Sequence, residues 1–170
     1  WTLTRLIDVR LSLRDPEVTL PPEITLHIGS ARTQARIRSL GASPVTRLML
    51  RDPLPLHVGD RVLLRDPGSA AVMILGATVL DVDPPALARR GAATAAGREL
   101  ASWPDPPAAA DLLRRHGLLR AAALAAMGVP GGMAPVAGDW LADPDRWAAL
   151  RRRLAEVVAA HAKRDPLAIG

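Results

Sequence analysis

The chain of 170 residues contains no cysteine, no tyrosine and no phenylalanine, so that four tryptophans are its aromatic residues of the Phe, Trp and Tyr class. Without cysteine there is no disulfide, no thiolate metal site and no cysteine nucleophile. The near lack of aromatic rings removes the stacking platforms on which common single-strand RNA binders rely. Any contact with RNA is therefore expected to be with its backbone and shape.

Several other sequence signals are missing. The four histidines, at positions 27, 57, 116 and 161, are too far apart for a zinc helix or a zinc finger. No run of 18 apolar residues is present, and the first ten residues lack the basic and apolar regions of a signal peptide. We therefore expect a cytoplasmic monomer without a membrane partner. The start at Trp1 in place of methionine indicates a piece of a longer chain.

Basic residues exceed acidic ones, 22 against 17, and the formal net charge is +5. Lys163 is the single lysine, so the remaining basic residues are arginines. An arginine bias of this kind is also what a GC-rich genome produces. The planar guanidinium nevertheless binds phosphate in a bidentate fashion, and the charge permits an anionic partner.

Residues 1–85 carry short apolar segments separated by proline, glycine and aspartate, which is typical of an antiparallel barrel or sandwich. Apolar and polar residues alternate in them, as at Ile24, Leu26 and Ile28, which predicts strands with one buried face. Leu-Arg-Asp-Pro recurs at 13–16, 50–53 and 64–67, and each copy is expected to end a strand. The predicted strands of a six-stranded barrel are 3–13, 23–29, 32–40, 45–51, 60–65 and 71–82.

Residues 86–170 are rich in alanine, leucine and arginine at helical spacing, so we place a domain boundary near residue 84. A proline-rich linker leads to predicted helices at 108–116 and 118–127, each closed by a glycine. After a loop or short hairpin, Asp143 and Pro144 begin a third helix that ends near residue 163 or 164. The predicted fold class is mixed: an all-β six-stranded antiparallel barrel (1–85), then a linker and a mainly α winged-helix domain (86–170).

No catalytic motif is present in the sequence. Neither Gly-x-x-x-x-Gly-Lys-Ser/Thr nor Gly-x-Gly-x-x-Gly occurs, which excludes the recognisable phosphate-binding loops. A serine triad of Ser69, His57 and Asp60 can be assembled on paper, but nothing in the spacing fixes its geometry. We predict no catalytic residue and no cofactor or metal ligand in this chain. An enzyme of unknown type would require His27 or His57 to lie in a deep pocket beside a carboxylate.

Arginines at period two form the most informative pattern of the barrel half. Arg32, Arg36 and Arg38 fall on one face of a predicted strand, and a turn at 29–31 folds them beside His27. If Arg47 and Arg51 lie on the same face, the patch could follow a phosphate backbone. The alternative is a solvated sheet face with arginine–aspartate pairs.

The barrel half resembles the third domain of the selenocysteine-specific elongation factor family, SelB. The similarity is carried by residues 27–31 (HIGSA), 35–38 (ARIR), 53–56 (PLPL), 58–66 (VGDRVLLRD) and 75–85 (LGATVLDVDPP). The second half is similar to the winged-helix extension of that family at 138–141 (GDWL) and 161–167. The resemblance covers nearly the whole chain.

The resemblance implies a translation factor that delivers selenocysteinyl-tRNA to the ribosome, with GTP and magnesium bound in a domain upstream of this chain. It implies that the barrel contacts the tRNA backbone and that the winged helix links it to modules that bind the mRNA hairpin (SECIS). The candidate residues for tRNA or interdomain contact are His27, Arg32, Arg36, Arg38, Arg47 and Arg65. The alternative function is a DNA-binding transcriptional regulator whose winged helix reads DNA and whose barrel is an effector domain.

Overall fold

The computed structural model describes residues 1–12, 20–41, 44–66, 68 and 74–164. Six strands form the first half of the chain, and four helices with two short strands form the second half. In chain order these elements are β1 (Thr2–Ser12), β2 (Glu23–Ile28), β3 (Ala31–Ser39), β4 (Val45–Leu56), β5 (Arg61–Arg65), β6 (Ile74–Asp81), α1 (Ala92–Ala101), α2 (Ala109–His116), β7 (Leu118–Arg120), α3 (Ala121–Ala126), β8 (Trp140–Ala142) and α4 (Pro144–Arg164).

The first six strands close into an antiparallel barrel in the order β1-β4-β3-β2-β5-β6, with β6 pairing back to β1. The alternation seen in the sequence sets the inside of this barrel. Ile24 and Leu26 of β2 are buried, as are Val62 and Leu64 of the neighbouring β5. The predicted six-stranded barrel is therefore confirmed, and apart from the end of β4 the described strand ends agree with the predicted segments to within three residues.

One predicted strand end is wrong. The Leu-Arg-Asp-Pro copy at 50–53 lies inside β4, which continues to Leu56. Between the pairs Thr4↔Leu54 and Leu6↔Met49 the register shifts, so the proline falls in a bulge where no ladder bond is required of it. The copy at 64–67 does meet the end of β5 at Arg65, and the copy at 13–16 lies outside the described residues.

The helical half departs from the prediction at both of its first two elements. Residues 92–101, which precede the proline-rich segment, form α1, which the sequence analysis did not predict. The predicted helix at 118–127 begins as the strand β7, which pairs with β8, and only then continues as α3. The helix predicted at 108–116 is confirmed as α2, and its amide at Gly117 closes the helix on the Leu113 carbonyl at 2.7 Å.

The long helix α4 begins where predicted, because the Asp143 carboxylate accepts a hydrogen bond from the Arg146 amide at 2.9 Å. The apolar stripe of this helix, formed by Leu150, Leu154, Val157 and Val158, is however largely exposed. No residue of α4 is buried, and Leu154 is 65% exposed. The closing contact expected of a winged helix is therefore absent from the described residues. No helix of the described residues is long and apolar enough to cross a membrane.

Residues 86–164, which we call the helical unit, dock on the barrel along β1, β4 and β6. One continuous apolar core joins barrel residues to Leu100 of α1 and to Leu112 and Leu113 of α2. Gly97 of α1 lies so close to the barrel that a Cβ atom there would overlap the Leu40 carbonyl oxygen. The two halves predicted from composition therefore share a core at their junction.

Candidate nucleic-acid interface

The outward positions of three adjacent strands, β2, β3 and β5, form a basic surface. Because side chains alternate along a strand, these positions are the ones that do not enter the barrel core. They include five guanidiniums and one carboxylate, that of Glu23, within the described strands. We call this surface the basic face and define it by Arg32, Arg36, Arg38, Arg61 and Arg65 together with His27.

Strand register brings the members of the basic face together. His27 of β2 lies opposite Arg32 of β3 and, on its other side, opposite Leu63 of β5. Residues directly opposite in an antiparallel pair have Cβ atoms about 4.5–5.5 Å apart, so these side chains are neighbours. The proximity of His27 to the arginine strand, expected from the turn at 29–31, is thus found in the structure.

Most guanidiniums of the basic face are free of carboxylates. Arg36 pairs with Glu23 at 3.2 Å, but the two side chains are 72% and 58% exposed, and such a pair contributes about 0–1 kcal/mol. Arg32, Arg38 and Arg65 have no ion-pair partner within the described residues. The basic face can therefore bind an anion without first giving up a strong internal contact.

The surface beside the basic face is a shallow groove and not an enclosed pocket. Its volume is about 370 Å³, and residues of β2, β3 and β4 line it, among them Glu23, Arg36, Met49 and Arg51. Arg51 donates a hydrogen bond to the Gln34 side chain at 3.1 Å, which extends the polar surface to β4. A groove open along its length suits an extended polyanion better than a small molecule, whose sites bury most of the ligand.

The basic face lies on the part of the barrel that the helical unit leaves uncovered. The helical unit docks on β1, β4 and β6, whereas β3, β2 and β5 form the opposite arc of the closed barrel. Arg38, at the end of β3 next to β4, marks the boundary between the two regions. Access to Arg32, Arg36 and Arg65 is therefore unaffected by the helical unit, whereas Arg61 lines a groove together with Asp105 of that unit.

Arg47 is placed apart from the other candidate residues. It is the strand partner of Arg38 and lies on the outer side of β4, but only 3% of its side chain is exposed. Its Nε and Nη2 atoms donate to the two carboxylate oxygens of Asp8, at 2.7 and 2.9 Å, and Nη1 donates to the Pro85 carbonyl at 2.9 Å. The idea that Arg47 shares the exposed arginine face is therefore wrong, because the start of the helical unit covers it.

Arg47 belongs to a buried ion cluster, which we define as Asp8, Arg47, Asp81, Glu99, Arg115 and His116. Arg115 of α2 donates to Asp8 at 2.6 Å, to Asp81 at 3.1 Å and to Glu99 at 3.2 Å. The His116 Nε2 atom lies 3.1 Å from the Asp81 carboxylate. The cluster joins α2 to β1 and β6, so its arginines serve the docking of the helical unit and not an external ligand.

Neither of the histidines considered for catalysis has the required surroundings. His27 lies half-buried on an open strand surface, and the His57 ring stacks on the Trp1 ring with centroids 5.2 Å apart. No carboxylate is hydrogen-bonded to either imidazole among the described residues, and Ser69 lies outside them. Across the same residues no group of three or more histidine and acidic side chains is arranged to hold a metal ion.

The helical unit lacks the features of a base-reading helix. The sequence of α3 is Ala-Ala-Ala-Leu-Ala-Ala, which offers no donor or acceptor to a base edge. Arg114 pairs with Asp111 in α2, while Arg120 pairs with Asp139 and lies 4.4 Å from the centre of the Trp140 ring. Each of these two exposed arginines is therefore paired with another side chain of the same unit.

One member of the basic face was missed from the sequence. Arg61 occupies the outward position at the start of β5, in the same alternation as Leu63 and Arg65. The period-two signal that revealed the arginines of β3 was therefore present in β5 as well. It was obscured because β5 is only five residues long.

Comparison with known proteins agrees with the geometry of the first half. Residues 5–86 match the family model described as the beta-barrel domain of the selenocysteine-specific elongation factor, SelB. The barrel is therefore similar to that domain. The matched range runs from within β1 to beyond the end of β6, which confirms the resemblance noted in the sequence for the barrel half.

Among solved structures, the chain is similar to the bacterial selenocysteine-specific elongation factor EF-Sec, with 18% sequence identity and a TM-score of 0.43. The similarity covers 60% of this chain but only 16% of EF-Sec. A search of the curated proteins found no match. The family match covers the barrel half of the chain, and residues 87–170 lie outside it.

Proposed function

We propose that the basic face binds the sugar-phosphate backbone of selenocysteinyl-tRNA, and that the chain is a non-catalytic part of a selenocysteine-specific elongation factor. The observation that carries this proposal is the combination of a SelB-type barrel with an uncovered face of five arginines and one carboxylate. The name of the family supplies the class of RNA. The charge and openness of the face supply the mode of contact.

The arrangement supports binding without base readout. Guanidiniums bind phosphate oxygens strongly, in a fork geometry, but phosphate carries no sequence information. Arg32 and Arg38 lie six residues apart along β3, about 20 Å at the usual rise of a strand. A row of that length can follow one edge of a folded RNA. His27 adds a ring donor or acceptor near the middle of the face.

The remaining parts of the proposal concern the longer protein. Its GTP and magnesium would be bound by an upstream domain, while the helical unit would serve as a winged-helix spacer toward the modules that bind the mRNA hairpin and reach the ribosome. The candidate residues for tRNA contact are now His27, Arg32, Arg36, Arg38 and Arg65, with Arg61 added. Arg47 is assigned to the junction of barrel and helical unit.

The first experiment compares partners. The full chain is titrated with selenocysteine tRNA, charged and uncharged, and with duplex DNA of equal length at two salt concentrations. We expect tighter binding of tRNA at matched salt, with an affinity that falls steeply as salt increases. Tighter binding of duplex DNA would instead favour the winged-helix DNA-binding regulator, against which the apolar surface of α3 argues.

The second experiment tests the face itself. Arg36→Ala removes one phosphate contact, so it should weaken tRNA binding and reduce the slope of log affinity against log salt by about one unit. Arg153→Ala is the matched control, because Arg153 is 74% exposed on α4 and forms a similar exposed pair with Glu156. A slope that stays unchanged in Arg36→Ala would assign this arginine to a protein–protein surface.

A further inference from the structure

Residues 84–98, which lead into α1 and include most of it, carry three further exposed arginines next to one end of the basic face. Arg89, Arg90 and Arg98 are all exposed, and residues 84–98 contain no acidic residue. None of the three side chains has an ion-pair partner within the described residues. Glu99, which follows, turns inward to Arg115 and therefore does not neutralise them.

Two contacts fix this segment beside Arg38. On one side, the Pro85 carbonyl accepts a hydrogen bond from Arg47, and Arg47 is the strand partner of Arg38. On the other side, Thr94 of α1 packs against Gly41, three residues beyond Arg38. The residues between these two contacts, including Arg89 and Arg90, are therefore held at the Arg38 end of the basic face.

Contacts with the barrel also hold α1 in a fixed position, and with it the arginines of this segment. Gly97 packs directly on the Leu40 backbone, which leaves no room for α1 to shift toward the barrel. The Arg10 guanidinium donates to the Leu100 and Trp103 carbonyls, at 2.8 and 2.7 Å, and so holds the carboxyl end of α1. Arg98 follows Thr94 by one helical turn and lies on the same side of α1.

We propose that Arg89, Arg90 and Arg98 continue the phosphate-binding surface from the barrel onto the helical unit, so that one RNA backbone contacts both. This inference rests on the proposed function of the basic face. Its new content is that RNA recognition is shared between the two halves of the chain. The ligand is an RNA duplex longer than the row of arginines on β3 alone.

The test measures salt dependence in paired variants of the full chain, with tRNA as the probe. Arg89→Ala combined with Arg90→Ala should lower the salt slope by about two units, one for each lost phosphate contact. Arg32→Ala combined with Arg65→Ala should have an effect of the same size. Arg151→Ala combined with Arg152→Ala, on the exposed surface of α4, removes equal charge and should leave the slope unchanged.

A second probe separates contact from net charge. With an RNA stem too short to extend past β3, the Arg32 and Arg65 variant should still weaken binding, whereas the Arg89 and Arg90 variant should bind like the unmodified chain. If the Arg89 and Arg90 variant instead matches the α4 control on full tRNA, or weakens the short stem equally, the extension is overturned. If the Arg32 and Arg65 variant also matches the control, the proposed function of the basic face fails.

Discussion

Replacing Arg115 with methionine is expected to destabilise the chain more than any other single arginine substitution in the helical unit. Its guanidinium is 5% exposed and donates to the carboxylates of Asp8, Asp81 and Glu99. These bonds join α2 to two barrel strands and to α1. Methionine retains a long apolar side chain, so the change removes the charge and the hydrogen bonds while it leaves only a small change in packing.

The magnitude follows from what the carboxylates would lose. Asp8 and Asp81 are both fully buried, and removing one partner of a buried ion pair costs about 3–5 kcal/mol because the other charge stays desolvated. Asp8 would keep Arg47, while Asp81 would keep the His116 ring and the Asp83 amide. We therefore expect the free energy of unfolding to fall by the cost of one broken ion pair, about 3–5 kcal/mol, and not by twice that amount. In a chain of this size it would lower Tm by roughly 6–20 °C.

The assay is urea unfolding of the full chain followed by tryptophan fluorescence, which Trp103, buried beside the barrel, makes sensitive to undocking. Arg114→Met on the same helix is the matched control, because Arg114 is 58% exposed and pairs only with Asp111. It should change the free energy of unfolding by less than about 1 kcal/mol. A loss in Arg115→Met no larger than that of the control would refute the structural role of the cluster.

Two further substitutions test the backbone arrangement. Thr33→Val leaves the Asp52 amide without its 3.0 Å acceptor at the β4 bulge, so unfolding free energy should fall by about 1–3 kcal/mol in a urea titration. Gly97→Ala should lower the free energy of unfolding by about 1–3 kcal/mol or more, because the added methyl group would overlap the Leu40 carbonyl. The control Gly131→Ala should be tolerated, because the space around Gly131 is open. Equal stability of these two glycine variants would contradict the close packing of α1.

The barrel was predictable because its information is local. Alternation at Ile24, Leu26 and Ile28, interrupted by glycine and proline, identifies a strand without knowledge of its partners. The same alternation placed Arg32, Arg36 and Arg38 outside the barrel, and the structure has all three exposed. The bulge in β4 was not predictable, because the Thr33 side chain that supports Asp52 comes from a different strand.

The errors share a physical cause, which is dependence on distant partners. Arg47 and Asp8 are 39 residues apart, and Arg115 and Asp8 are 107 residues apart, so no local pattern distinguishes these buried arginines from exposed ones. Helix α1 was missed because glycine at position 97 lowers helix propensity. What stabilises this helix is its packing on Leu40 and the bonds from Arg10 to its carboxyl end.

The long helix α4 shows the limit of periodicity in another way. The 3.6-residue period and the cap at Asp143 correctly predicted a helix from Pro144 onward. The same period places Leu150 and Leu154 on one apolar stripe, yet these side chains are 44% and 65% exposed. An amphipathic pattern states that a face is apolar, but it carries no information about which surface covers that face.

Burial by the helical unit is what separates the two roles of arginine in this chain. Where the unit docks, Arg47 and Arg115 meet the fully buried carboxylates of Asp8 and Asp81, so their charges are balanced internally. On the opposite arc, the outward positions of the barrel strands hold five guanidiniums against one carboxylate. The exposed positive charge of the barrel is therefore concentrated on the basic face, and Arg89, Arg90 and Arg98 continue it onto the helical unit. It follows that loss of the buried ion cluster should weaken docking of the helical unit without creating a second basic surface.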